Sequence, residues 1–364
     1  MEIFHIVGAR PNFMKVAPVM EALSDYQNVS QVLVHTGQHY DANMSDIFFD
    51  QLGLPRPDIN LEAGSGSHAQ QTAQIMVRFE EVVKRELPGL VLVYGDVNST
   101  VAAALVSAKL QIPVGHVEAG LRSFDRKMPE EINRLVTDQI SDLLFTPSVD
   151  GDRNLLREGV SPEKIHFVGN VMIDTLVRLL PTAERIWPAI HTRLNLNGKY
   201  ALVTLHRPSN VDSPAGLMPI TEVLRDICKD LQVLFPVHPR TRQKLSECGI
   251  SLDHPNLLVM EPVGYIEFLA LQHHAAMVIT DSGGIQEETT FLNIPCLTLR
   301  DNTERPVTIT LGTNVLIGSD MDRLKTEIYN ILEGRSKAGQ VPPLWDGRAA
   351  CRIAEIVAAR ESFR

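Results

Sequence analysis

Twelve short apolar runs, most of them followed by a stretch of helical periodicity, constrain this chain more than any other feature. The first six are "IFHIVG", "QVLVHTG", "LVLVYGD", "PVGHVEAG", "DLLFTPS" and "KIHFVGN". Each is nearly continuous in hydrophobic residues, as a strand covered on both faces must be. Helical patterns lie between them, over Phe13 to Leu23, His68 to Leu87, Ser99 to Leu110 and Glu130 to Ser141. After the polar dip "LNLNGK" the rhythm restarts with "YALVTLHR", "LQVLFPVH", "NLLVME", "AMVITDSGG", "IPCLTLR" and "TNVLIG". Such alternation builds parallel sheets, and two series of roughly 170 residues predict two doubly wound, Rossmann-like α/β domains. The expected division is 1–170 and 171–345, with a last helix over 346–364 rejoining the first domain.

Composition removes several classes of function. A net charge of −10 argues against nucleic acid as the main partner, because counterion release needs a basic surface. The longest apolar runs are strand-sized, so no membrane span is expected. "EIFHIVG" follows Met1 directly, without the basic and apolar regions of a signal peptide. Cys228, Cys248, Cys296 and Cys351 are scattered and form no C-x-x-C pair, which reads as reduced thiols of a cytoplasmic protein. No metal-ligand cluster is visible in the sequence.

In open parallel sheets ligands bind beyond the carboxyl ends of the strands. Those positions hold Arg10, Asp96, Glu118, His206, His238 and the pair Asp281-Ser282. A single Asp or Ser there commonly caps the next helix, but six such positions over both halves point to a ligand. If the halves face each other, one offers carboxylates and the other histidines and a phosphate cradle. The cradle is "DSGGIQEE": a glycine turn feeding a helix exposes backbone N–H groups and a positive dipole end to an anion. Ser282, Gly283 and Gly284 would hold a phosphate. Glu287 and Glu288 are expected in the helix's first turn, one of them accepting from a ribose diol or both serving the dipole. Arg10 and Lys15 would oppose the phosphate charge, although Lys15 reads equally as a solvated surface lysine.

Together "GARPNFMK", "TGQHYD", "YGDVNST", "GHVEAGLRSFDRKMPEEINR", "TLHRPSN", "PVHP", "DSGGIQEE" and "TERP" resemble the non-hydrolysing UDP-N-acetylglucosamine 2-epimerase family, from Gly8 to about Pro306. The resemblance implies a glycosyltransferase-B-like pair of domains facing a cleft, a bound UDP-sugar, a cytoplasmic homodimer and no organic cofactor. It places the catalytic positions on Asp96, Glu118, Glu130 and His206. Its nucleotide contacts fall on Arg10, Lys15, His238, Ser282, Gly283, Gly284 and Glu288, with Arg305 in "TERP" beside them. Arg134 is expected to steady Glu130.

The chemistry asks for similar groups. Inverting C2 through a C3 ketone needs bound NAD, and "GARPNF" after the first strand is not a G-x-G-x-x-G turn. Eliminating UDP to a 2-acetamidoglucal and re-adding it needs bases near C2 and cations or N–H groups on the diphosphate. Asp96, Glu118 and Glu130 could be the first set; Arg10, His206 and the Ser282 turn could be the second. Which carboxylate touches C2 stays open. A retaining glycosyltransferase, a hydrolysing epimerase and a non-catalytic UDP-sugar sensor are the rivals.

Two segments depart from the common bacterial pattern. His206-Arg207-Pro208-Ser209-Asn210 lacks one Arg and one Glu of H-R-R-E-N, and "QHYDANMSDIFF" replaces a Q-H-R type segment. These departures suggest a subgroup, in which a modified sugar such as UDP-2,3-diacetamido-glucuronate is an alternative substrate. They also predict an enzyme that its own substrate does not activate.

Overall fold

The computed structural model describes residues 1–37 and 51–360, and the side chain of Arg10 also lies outside that description. The departing segment around Tyr40–Met44 is therefore outside the described residues. The chain separates into two compact units, Met1–Thr175 with Pro343–Arg364, and Leu176–Pro342. The chain passes from one to the other within the helix Val171–Arg193.

The first unit carries β1 (Glu2–Val7), β2 (Ser30–His35), β3 (Ile59–Asn60), β4 (Leu90–Tyr94), β5 (Val114–Val117), β6 (Leu143–Thr146) and β7 (Ile165–Phe167). They form one sheet in the order β3-β2-β1-β4-β5-β6-β7, parallel throughout. The second unit carries β8 (Tyr200–Thr204), β9 (Gln232–Pro236), β10 (Leu257–Met260), β11 (Met277–Thr280), β12 (Cys296–Thr298) and β13 (Asn314–Leu316). Their order is β10-β9-β8-β11-β12-β13, again all parallel. Every strand expected from the apolar runs is present, and the two-residue β3 is the one addition.

Each sheet owes its stability to burial on both faces. All five residues of β4 are buried, as are Ala201, Leu202 and Val203 of β8. Phe4, Ile6, Val91 and Val93 share one core with Ile75 and Phe79 of the helix His68–Glu86. Val203, Val233 and Ile279 share another with Leu217 and Leu224 of the helix Pro214–Ile227. Removing such side chains from water is worth ~1.5–3 kcal/mol each. Among the described residues no helix is long and apolar enough to cross a membrane.

In both sheets the strand order reverses beside the first strand of the unit. The reversal lies between β1 and β4 in the first sheet and between β8 and β11 in the second. Flanking helices diverge at such a point and open a crevice at the carboxyl ends of the two strands. Asp96 therefore follows one side of the first crevice, and His206 and Asp281 follow the two sides of the second.

The last helix, Ala349–Ala358, belongs to the first unit and is fastened there by contacts distant in sequence. The Asp174 carboxylate accepts from Ala349 N at 3.1 Å and Ala350 N at 2.6 Å, taking the place of a local cap. Trp345, 2 % exposed, donates its indole N–H to the Pro147 carbonyl at 2.8 Å. Trp345→Ala should consequently cost ~3–5 kcal/mol of unfolding free energy, the range for emptying a buried aromatic site. Urea denaturation measures it; a loss below ~1 kcal/mol would mean that this segment is a loose appendage.

Candidate active site

In the first unit, Asp96 lies two residues beyond β4, and its carboxylate is paired with Arg134 of the helix Pro129–Ile140. The other arm of Arg134 meets Glu131 Oε2 at 2.6 Å. Glu131 is buried and held by Ser123 N and Oγ, both at 3.0 Å, and by Phe124 N at 2.9 Å. Arg134 thus bridges Asp96 and Glu131, and the carboxylate it steadies in this helix is Glu131, not Glu130 as expected. The reason is that Glu131 is already anchored on the buried side of the helix within reach.

The carboxylate of Glu130 makes no hydrogen bond or ion pair among the described residues. It lines a hollow of about 310 Å³ with Ser65, Gly66, His68, Gln71, Val97, Asn98, Pro129 and Asn133. Asn133 Nδ2 donates to the Asp96 carbonyl at 2.9 Å, and Asn98 Nδ2 donates to Gln71 Oε1 at 2.8 Å, so the walls are fixed by amide bonds. His68, Gln71, Asn98 and Asn133 received no role from the sequence, although "YGDVNST" and "PEEINR" contain the two asparagines.

Glu118 follows β5 with a positive φ of 76°, a conformation that a non-glycine residue adopts only where its surroundings enforce it. Its carboxylate is ion-paired with Lys15, and both residues are buried. Lys15 is thus no solvated surface lysine. Gly95 makes room for it: a Cβ there would stand 2.7 Å from Lys15 Nζ, and its φ is +64°. Arg10 begins the helix Arg10–Leu23 that carries Lys15.

Beneath these groups runs a buried chain of charges. His116 places Nε2 2.8 Å from the Gly95 carbonyl and Nδ1 2.7 Å from Asp138 Oδ1. Both neighbours are acceptors, so only a ring with hydrogen on both nitrogens satisfies them. Burial alone would raise the Asp138 carboxyl, but His116 and the Arg122 guanidinium at 2.7 Å hold it below the usual range. Arg122 in turn makes a two-pronged pair with Glu158, at 2.8 and 2.6 Å.

In the second unit Asp281 is the hub. It is fully buried, and its carboxylate accepts from His206 N at 3.1 Å, Arg207 N at 2.9 Å and Asn210 Nδ2 at 3.0 Å. His206 Nδ1 stands 3.0 Å from Asp281 Oδ1. Desolvation pushes Asp281 upward, yet the His206 contact and these N–H donors hold it below the ordinary carboxylate range. A carboxylate on Nδ1 fixes the tautomer of His206 and leaves Nε2 of this half-exposed ring for a ligand. The sequence reading named Asp281 but gave it no such task.

The helix Gly283–Leu292 follows directly, with Ser282 at its N-cap making no side-chain capping hydrogen bond. Gly283 and Gly284 open it. A Cβ on Gly283 would lie 2.5 Å from Arg305 Nη1 and 2.7 Å from Glu304 Oε1, so the guanidinium is pressed against the turn. Arg305 is itself paired with Glu304 and, at 2.8 Å, with Glu287. Because the helix begins at Gly283, Glu287 and Glu288 fall in its second turn and not the first. Both are buried, so neither serves as a surface charge at the helix end. Glu288 accepts from Tyr265 Oη at 2.9 Å, and burial pushes its carboxyl up to about 7. His238 is exposed and caps the helix Pro239–Glu247, its Nδ1 accepting from Arg240 N at 3.2 Å.

A family model described as UDP-N-acetylglucosamine 2-epimerase matches residues 21–358. A UDP-N-acetylglucosamine 2-epimerase of Methanococcus maripaludis is 44% identical over 359 residues, 97% of each chain. A UDP-2,3-diacetamido-2,3-dideoxy-D-glucuronate 2-epimerase of Pseudomonas aeruginosa is 43% identical over 361 residues, covering 98% of this chain and 99% of that one. The crystal structure of Methanocaldococcus jannaschii UDP-GlcNAc 2-epimerase with UDP-GlcNAc and UDP superposes with a TM-score of 0.91 at 41% identity, covering 99% and 100% of the two chains.

The raised Glu288 carboxyl has a consequence for stability. Its folded-state value lies above the ordinary 4.5, so the proton it holds stabilises the fold fully below pH 4.5. That contribution is lost as pH rises through about 7. Glu288→Gln cannot ionise and should be the more stable protein at pH 8, by up to about 3 kcal/mol, with the difference shrinking towards pH 4. Urea denaturation over a pH series gives the comparison; a difference that does not change with pH would show that Glu288 titrates normally.

Proposed function

The chain belongs to the UDP-N-acetylglucosamine 2-epimerase family, and from that premise we propose that it interconverts UDP-N-acetylglucosamine and UDP-N-acetylmannosamine. A base removes the C2 proton while the C1–O bond breaks and its electron pair leaves with UDP, giving 2-acetamidoglucal. UDP then returns to C1 and a proton is delivered to the opposite face of C2. The observation that carries this reading is Glu130: a carboxylate without a partner among the described residues, lining a hollow beside the Arg134-held Asp96.

Glu130, Asp96 and Glu118 are the candidates for proton transfer, with Lys15 and Arg134 fixing the latter two. His206 presents Nε2 to the leaving diphosphate. Ser282, Gly283 and Gly284 offer backbone N–H groups to it, Arg10 and Arg305 add positive charge, and His238 adds a donor at the next strand end. Glu288 accepts from the ribose diol, and Glu288→Ala should weaken UDP binding by about 1–3 kcal/mol in a calorimetric titration. The reading includes a homodimer in the cytoplasm that needs no organic cofactor and supplies a sugar for cell-surface polysaccharide.

Isotopes test the mechanism. In deuterium oxide the product should carry deuterium at C2, and label in the bridging oxygen should scramble into the β-phosphate. Asp96→Asn and Glu130→Gln should each slow turnover 10²–10⁴-fold. A product that keeps its C2 proton would sink the elimination scheme, and free N-acetylmannosamine would identify a hydrolysing enzyme.

The Pseudomonas relative, together with the missing Arg and Glu after His206, favours UDP-2,3-diacetamido-glucuronate as the second candidate substrate. Assays on both UDP-sugars decide between them. The same departures support an enzyme without substrate activation, because an effector shifts nothing unless it contacts the two states differently. Repurified UDP-N-acetylmannosamine alone should then react without a lag; silence until UDP-N-acetylglucosamine is added would reveal an activating site.

A further inference from the structure

Two histidines follow one another at the C-terminal end of the helix Tyr265–His273, His273 as its last residue and His274 as its cap. Glu184, on the helix Val171–Arg193, brings a single carboxylate oxygen to both. Oε1 lies 2.7 Å from His273 Nδ1 and 2.9 Å from His274 Nε2. One ligand atom from each of the three residues falls within 4.8 Å of the other two. All three side chains are partly buried, neither sealed in the core nor free in solvent. The His274 ring lies flat on Trp187, with centroids 4.1 Å apart and planes 3° from parallel. Trp187 itself stands three residues after Glu184, so one helix supplies both the carboxylate and the wall that orients the ring.

We propose that Glu184, His273 and His274 form a binding site for a divalent transition metal, with Zn²⁺ as the ion that fits best. Two imidazoles and a carboxylate suit borderline-soft ions and disfavour Mg²⁺ and Ca²⁺, which take oxygen ligands. The negative end of a helix dipole points at the same place and favours a cation. Around a zinc ion with bonds of ~2.0–2.2 Å, neighbouring ligand atoms stand ~3.3 Å apart. The shared oxygen is a few tenths of an ångström closer than that to each nitrogen, a gap that a small rotation of Glu184 opens. Partial exposure leaves the fourth position to water. On binding, a hydrogen that either neutral ring directs at Glu184 moves to that ring's other nitrogen by exchange with water, so that each imidazole presents a lone pair to the metal.

The site would tie two helices together across 89 residues of sequence. One of them also carries Tyr265, the donor to Glu288, so the metal would brace the helix behind that carboxyl. None of the three ligands has a part in the proposed epimerase chemistry, and the role of the ion is a structural clamp.

Titration of ZnCl₂ into EDTA-treated, dialysed full-length protein should show one ion per chain. Its affinity should fall at least tenfold in Glu184→Gln and in His274→Ala, and Zn²⁺ should raise the melting temperature of the parent protein but not of these variants. Cys248→Ser, which removes a thiol elsewhere on the chain, should bind as the parent does. Circular dichroism checks that the variants fold, and His273→Asn replaces any that does not. Absence of stoichiometric binding to the parent protein, or equal binding in parent and ligand variants, would overturn the proposal.

Discussion

A parallel strand buried on both faces has no place for an ionised side chain that lacks a buried partner, and that constraint organises both units of this protein. Desolvating a charge without partners costs several kcal/mol, so β4 and β8 run as Leu-Val-Leu-Val-Tyr and Tyr-Ala-Leu-Val-Thr and end before any carboxylate or cation appears. The polar groups gather immediately afterwards: Asp96 after β4, Glu118 after β5, His206 after β8 and Asp281 after β11. Where the strand order reverses, two such ends lie beside a crevice. Position in the sheet, more than any single motif, decides which residues can meet a ligand.

The same constraint explains why these groups come with partners already in place. Asp138 and Asp281 are fully buried, and burial by itself would push each towards the neutral acid. Neighbouring imidazole, guanidinium or N–H groups reverse the sign in both, so they remain ionised and hold His116 and His206 in fixed orientations. Lys15 is ion-paired with Glu118, and Arg134 with Asp96. Glu288 is the opposite case: it meets a tyrosine hydroxyl and, among the described residues, no cation, and its carboxyl sits at about 7. Carboxylates of one residue type therefore behave as fixed anions or as titrating groups according to what was buried with them.

Architecture was legible in the sequence because burial on both faces writes itself as an unbroken apolar run. The two-residue β3 escaped because Ile59-Asn60 carries no period at all. Strand-end residues were legible for the same reason, since each follows a recognisable run. What pairs with them was not. Glu130 and Glu131 are adjacent and alike, and only the anchoring of Glu131 by Ser123 and Phe124 shows which one Arg134 takes. The depth of Glu287 and Glu288 was missed because the helix starts as early as Gly283, which turns both inward a full turn later. Glu184 with His273 and His274, and His116 with Asp138, join residues far apart in the chain, where neither periodicity nor spacing leaves a trace.

Gly283 shows how tightly the second unit couples its turn to its charges. Arg305 approaches so closely that even a methyl group on Gly283 would collide with the guanidinium. That closeness places a positive charge at the first turn of a helix whose N–H groups already favour an anion. Glu304 and Glu287 hold Arg305 there, and the second of these stands beside Glu288 in the helix. A nucleotide whose phosphate meets the turn and whose ribose meets Glu288 would thus engage two ends of one buried charge cluster. The collision is with these paired side-chain ends and not with the backbone angle, since the residue lies within an ordinary right-handed helix. The motif "DSGGIQEE" accordingly records a packing demand made by "TERP", some twenty residues later.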